Sequence, residues 1–149
     1  SFRLPDIMKS AGCSLREVGT TNRTYIKDFK SEISSKTGMI FKAYTSNYTI
    51  SGFTKEVDEK ELVQLSNELD IPFVVDLGSG SFIHLTKNNV EIEATPSKKM
   101  LAGVDLITFS GDKLVGGPQC GIIAGRKDLT RLFKDLSSEL NEKVTPIGS

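Results

Sequence analysis

The five residues Phe73-Val74-Val75-Asp76-Leu77 constrain this chain more than any others. Successive strand side chains point to opposite faces, so a nearly continuous apolar run needs cover on both sides. Inner strands of a parallel sheet have that need, and helices meet it. The preceding segment supplies a helix. From about Asp58 to Leu69, the residues Leu62, Leu65 and Leu69 recur on one helical face. Glu61 follows Asp58 in the manner of a capping box, and Pro72 blocks continuation. The strand ends in an acid, Asp76, and a small-residue turn, Gly78-Ser79-Gly80-Ser81.

The same alternation runs through the rest of the chain. Ser14–Thr20 reads as a short strand ending at Gly19, and Tyr25–Ile33 as a helix with Ile26, Phe29 and Ile33 on one face. Met39–Tyr44 is a strand that enters the polar turn Thr45-Ser46-Asn47-Tyr48. Ser97–Ala102 has room for one helical turn, Asp105–Phe109 is a strand, and Gly121–Ala124 is a fifth. A last helix starts near Asp128 and carries Leu129, Leu132, Phe133, Leu136 and Leu140 as its apolar stripe. No internal repeat or low-complexity stretch interrupts this order. The fold class is α/β, a mostly parallel sheet flanked by helices.

Charge narrows the function classes. Lys+Arg and Asp+Glu both number 19, so the formal net charge is zero. A dedicated nucleic-acid arm or an anionic-membrane binder needs a clear positive excess. No apolar run approaches the roughly 20 residues of a membrane span. Cys13 and Cys120 are far apart and lack a CxxC pattern, which reads as two free thiols in a reducing, cytoplasmic setting. The opening at Ser1-Phe2 without an initiator Met, and the ending at Ile147-Gly148-Ser149, lead us to expect one segment, 1–149, of something longer.

Three polar clusters follow strands: Thr45–Tyr48, Asp76–Ser81 and Ser110-Gly111-Asp112-Lys113. In a parallel sheet all three meet at the carboxyl edge, where such folds bind ligands. Asp76, at the end of an apolar strand, needs a cation or a donor; an acid capping the following turn is the ordinary alternative. Lys113 lies in a segment rich in glycine (Gly111, Gly116, Gly117, Gly121, Gly125), which suggests backbone pressed against a ligand. An exposed loop lysine is its ordinary alternative. Together the two suit pyridoxal phosphate. That cofactor needs a lysine for its Schiff base and an acid to keep its pyridine nitrogen protonated. A serine three residues before the lysine, Ser110, can donate to the phosphate.

Other motif readings fail on detail. Ser110-x-x-Lys113 and Lys36-Thr37-Gly38 match elements of penicillin-binding enzymes, but in the wrong order and without Ser-Asp-Asn. Gly78-x-Gly80 lacks the third glycine of a dinucleotide fingerprint, because Ile83 stands there. No Walker A sequence and no Gly-x-Ser-x-Gly elbow occurs. His84 has no Cys or acid at ligand spacing, so no metal site is expected.

Several stretches resemble one family in order: Ser1–Met8, Glu17–Thr24, Thr45–Tyr48, Gly52-Phe53-Thr54, Asp76–Ser81 and Phe109-Ser110-Gly111-Asp112-Lys113-Leu114-Val115-Gly116-Gly117-Pro118-Gln119. They are similar to the bacterial L-seryl-tRNA(Sec) selenium transferases, the selenocysteine synthases. The resemblance implies part of the large domain of a fold-type I pyridoxal-phosphate transferase, a homo-oligomer with active sites between subunits. It makes Lys113 the Schiff-base lysine, Asp76 the partner of the pyridine nitrogen and Ser110 a phosphate contact. Asn47 becomes a donor to the phenolic oxygen, and Asp112 an aid to proton transfer or to the selenium site. Arg23 would serve the seryl end or the tRNA, with a structural ion pair as its alternative.

The implied reaction is β-replacement. Seryl-tRNA(Sec) displaces Lys113 from the cofactor, the freed lysine removes the Cα proton, and water leaves Cβ to give an aminoacrylyl intermediate. Selenophosphate then delivers selenium, yielding selenocysteinyl-tRNA(Sec). The family's arginine-rich stretch is replaced here by Ser138-Glu139-Leu140-Asn141-Glu142-Lys143-Val144. The family's upstream region is also absent, so the isolated segment is expected to be inactive. Two alternatives stand beside this reading: another fold-type I enzyme acting on a free amino acid, and an inactive scaffold fragment.

Overall fold

A computed structural model describes residues 12–19, 23–44, 57–78, 86–87, 90–91, 96–110 and 121–139. The chain divides into two compact units, Ser1–Thr37 with Ile50–Asp58, and Gly38–Thr49 with Glu59–Ser149.

In the first unit, helix α1 spans Ile26–Glu32. Asp28 in its first turn turns back to accept the Tyr25 amide at 2.8 Å, which satisfies a donor that the helix start would leave unpaired. The expected strand over Ser14–Thr20 is not there: residues 14–18 form no ladder, and Leu15 is exposed. Two apolar side chains, Leu15 and Val18, give that stretch too little to bury.

The second unit holds a four-stranded sheet. Its strands are β1 (Ile40–Ala43), β2 (Phe73–Asp76), β5 (Leu106–Ser110) and β6 (Gly121–Gly125), side by side in that order. The first three run parallel, and β6 returns antiparallel to β5. Two short strands, β3 (Thr86–Lys87) and β4 (Val90–Glu91), pair separately as a ribbon. Helix α2 (Glu59–Leu69) precedes β2, α3 (Pro96–Leu101) precedes β5, and α4 (Lys127–Glu139) follows β6. The mostly parallel α/β architecture is therefore as expected.

Register decides which residues share a face. Ile40 pairs with Phe73, and Lys42 pairs with Val75, which pairs with Ile107. On that face Phe73, Val75 and Ile107 are fully buried, as is Leu62 of α2. Burying each such side chain is worth about 1.5–3 kcal/mol. The opposite face carries Phe41, Val74 and Leu106, then Ala43, Asp76 and Thr108 toward the carboxyl edge.

Two expected stripe residues lie outside the core. Leu69 is 44% exposed, because α2 ends there: Asp70 takes φ 53°, and the Ile71 amide returns to the Ser66 carbonyl at 3.0 Å. Ser66, one turn earlier, is buried in its place. Leu132 of α4 is 53% exposed.

A buried acid that sequence reasoning passed over ties the strands together. Asp105 Oδ2 accepts the Phe73 amide at 2.8 Å and the Ser66 hydroxyl at 3.3 Å, and Oδ1 accepts from Arg126 at 3.0 Å. Gly125 lets β6 approach this point: a Cβ there would lie 2.3 Å from the Asp105 carbonyl oxygen.

Candidate active site

Because β1, β2 and β5 are parallel, their carboxyl ends open at one edge. The ladder continues past the strands into that edge. Tyr44 donates its amide to the Asp76 carbonyl at 2.8 Å, Leu77 to the Thr108 carbonyl at 2.9 Å, and Ser110 to the Gly78 carbonyl at 2.6 Å. The strand ends from which the three polar clusters start thus lie side by side. Asn47, Ser79–Ser81, Asp112 and Lys113 lie outside the described residues.

Asp76 is half-buried at the end of β2. Its Oδ1 accepts two hydrogen bonds, from the Gly78 amide at 3.1 Å and the Thr108 hydroxyl at 3.1 Å. The first is the turn-capping role that an acid here was expected to have as its alternative. Both donors fall on one oxygen, and Oδ2 takes none among the described residues. Gly78 makes the turn possible with φ 60°, and a Cβ there would sit 3.3 Å from the Tyr44 carbonyl oxygen.

Ser110 ends β5 on the same face as Thr108, one strand period later. Its Oγ is buried, and among the described residues it has no hydrogen-bond partner. Leaving such a group unmatched costs about 1–3 kcal/mol. Among the described residues, then, the sheet edge carries on one face a buried hydroxyl and a carboxylate oxygen that take no hydrogen bond. Arg23 is exposed and belongs to the first unit, whereas Asp76 and Ser110 belong to the second.

A further polar cluster at β1's end escaped sequence reasoning. The Tyr44 hydroxyl donates to Glu59 Oε1, and Lys99 Nζ reaches the same oxygen at 2.5 Å and the Tyr44 hydroxyl at 3.3 Å. Lys42 and Lys99 ammonium groups lie 4.9 and 4.7 Å from the Tyr44 ring centroid. The cluster fastens β1 to the first turn of α2 and to α3. No sequence spacing connects these residues.

Comparison with known proteins shows the family of the chain. The family model described as "SelA: L-seryl-tRNA selenium transferase" matches residues 1–140. The chain belongs to the L-seryl-tRNA selenium transferase family. Over 129 residues it is 54% identical to the L-seryl-tRNA(Sec) selenium transferases of Escherichia fergusonii and of Escherichia coli O127:H6, and the match covers 87% of this chain. The Salmonella arizonae relative is 54% identical over 127 residues. The chain spans 28% of the length of the Escherichia relatives. Among solved structures it is similar to D-glucosaminate-6-phosphate ammonia-lyase, with TM-score 0.71 at 20% identity, over 94% of this chain and 34% of that one. That likeness shows that the two share a fold. Among the described residues no helix is long and apolar enough to cross a membrane.

Proposed function

We propose that this chain is part of the catalytic core of a cytoplasmic, homo-oligomeric enzyme. The enzyme converts seryl-tRNA(Sec) to selenocysteinyl-tRNA(Sec), with selenophosphate as selenium donor and pyridoxal phosphate as cofactor. The observation that carries the reading is 54% identity to transferases of that name, together with the carboxyl edge on which Asp76 and Ser110 stand.

The residues at the edge fit the cofactor. The buried Ser110 hydroxyl suits a phosphate oxygen, and the open oxygen of Asp76 suits a protonated ring nitrogen. Bound there, pyridoxal phosphate supplies an electron sink for a Cα carbanion. Asp76 would hold the ring nitrogen, Ser110 the phosphate and Asn47 the phenolic oxygen. Lys113 would be the point of attachment and the base that takes the seryl Cα proton. Asp112, beside it in sequence, would assist that proton's movement, and Arg23 would orient the seryl end or the tRNA. With equal numbers of acidic and basic residues in this chain, we assign most of the tRNA grip to the oligomer.

The test is a transfer assay on the holoenzyme with labelled selenophosphate. Label appearing on seryl-tRNA(Sec), and none on free serine, is the expected result. Turnover of free serine without tRNA would overturn the reading in favour of an enzyme of free amino acids. No turnover of either, with cofactor bound, would point to a scaffold.

A further inference from the structure

We infer that Thr108 is a positioning residue for Asp76, an inference that rests on the cofactor reading above. The two residues are partners in register across parallel strands, so their side chains stand together on one face. Thr108 Oγ1 donates to Asp76 Oδ1 at 3.1 Å, and the Gly78 amide donates to the same oxygen at the same distance.

One donor would leave the carboxylate free to swing about a single contact. Two donors from different elements fix its plane. Oδ1 is committed to the protein, and Oδ2 has no partner among the described residues. Threonine suits the task because its branched Cβ restricts χ1, which makes the hydroxyl a stiff donor. The backbone supports the same contact, since Leu77 donates its amide to the Thr108 carbonyl at 2.9 Å. Strand β5 thus presents two hydroxyls on one face with different fates. That of Thr108 is spent on the acid of the next strand, whereas that of Ser110 has no partner among the described residues. Thr108 acts through Asp76.

The consequence concerns the ring nitrogen. A carboxylate that can rotate away holds a pyridinium proton less well, so removing the hydroxyl weakens cofactor binding and the electron sink together.

The experiment compares Thr108→Val, which keeps the shape and loses the hydroxyl, with Thr108→Ser, which keeps the hydroxyl. Thr108→Ala serves as a second hydroxyl-free variant. Each is made in the holoenzyme, stripped of cofactor and titrated with pyridoxal phosphate, and the visible absorbance of the bound cofactor is followed with pH. The expected result is about tenfold weaker cofactor binding in Thr108→Val and Thr108→Ala. A displaced pH profile of the absorbance should accompany it, and kcat should fall with little change in KM. Thr108→Ser should restore both the affinity and the profile. Wild-type affinity and an unchanged pH profile in Thr108→Val would overturn the inference while leaving the cofactor reading intact. A parent protein that takes up no pyridoxal phosphate would overturn both.

Discussion

Ser110 donates its backbone amide to the Gly78 carbonyl at 2.6 Å, yet its side-chain hydroxyl, buried at the same sheet edge, has no partner among the described residues. The backbone holds the residue firmly while the side chain stays available. Ser110→Ala should therefore act with opposite signs on stability and binding. It removes an unmatched buried hydroxyl, so the cofactor-free protein should be as stable as the parent or slightly more so. Cofactor binding should weaken by about 1.5–3 kcal/mol, the value of a hydrogen bond to a charged group. Thermal melts with and without pyridoxal phosphate separate the two; a loss of stability in the cofactor-free protein would show that Oγ already has a structural role.

Asp105 is the buried acid on which β2, β6 and α2 converge. Asp105→Ala strands the Phe73 amide and the Ser66 hydroxyl, and should cost about 2–3 kcal/mol in urea unfolding. Most of that loss comes from the buried donors, because Arg126 is half exposed and can turn to water. Arg126→Gln should therefore cost much less than Asp105→Ala, and equal losses would refute this division.

The Arg126–Asp128 pair makes a prediction in pH. The hydrogen bond from Arg126 holds the Asp128 carboxyl below its ordinary range, and Asp128 in turn raises the guanidinium further above its own. A carboxyl that titrates lower when folded contributes stability above the unfolded value of about 3.9. That contribution is lost as pH falls through the folded value. Both groups are exposed, so the effect on stability is small. The titration itself is the readout: in Arg126→Gln, carboxyl NMR should show Asp128 moving up toward an ordinary aspartate.

Leu62 and Leu69 lie on the same helix with different burial. Leu62 is fully buried and Leu69 is 44% exposed. Leu62→Ala should cost about 2–5 kcal/mol. Leu69→Ala should stay within about 0.5 kcal/mol, as surface changes do. Chemical denaturation of the two variants side by side checks the contrast.

How far the sequence disclosed this structure can be judged from particular elements. The all-apolar run at Phe73 and the leucines before Pro72 announced β2 and α2, because burial on two faces and on one stripe leave distinct periodicities. Nothing in Gly121–Ala124 gave a strand direction by composition. Its antiparallel course follows from chain length: residues 111–120 are fewer than the dozen or so that a parallel crossover needs. The expected strand at Ser14 failed because two apolar residues, Leu15 and Val18, offer too little surface to bury.

At the edge, Asp76 and Ser110 were legible as polar residues where apolar strands end. Thr108 was not, although it stands one strand period before Ser110; its role exists only through a register partner more than thirty residues away. The same holds for Asp105 and for the contact of Glu59 with Tyr44 and Lys99, which depend wholly on tertiary placement.

The central claim is that this chain carries the cofactor lysine of a pyridoxal-phosphate selenium transferase. Its most direct test is incubation of the protein with pyridoxal phosphate, borohydride reduction and mass mapping of the peptides. A phosphopyridoxyl group on Lys113, absent in Lys113→Ala, is the predicted result. Cofactor reduced onto another lysine, or onto none, would contradict it.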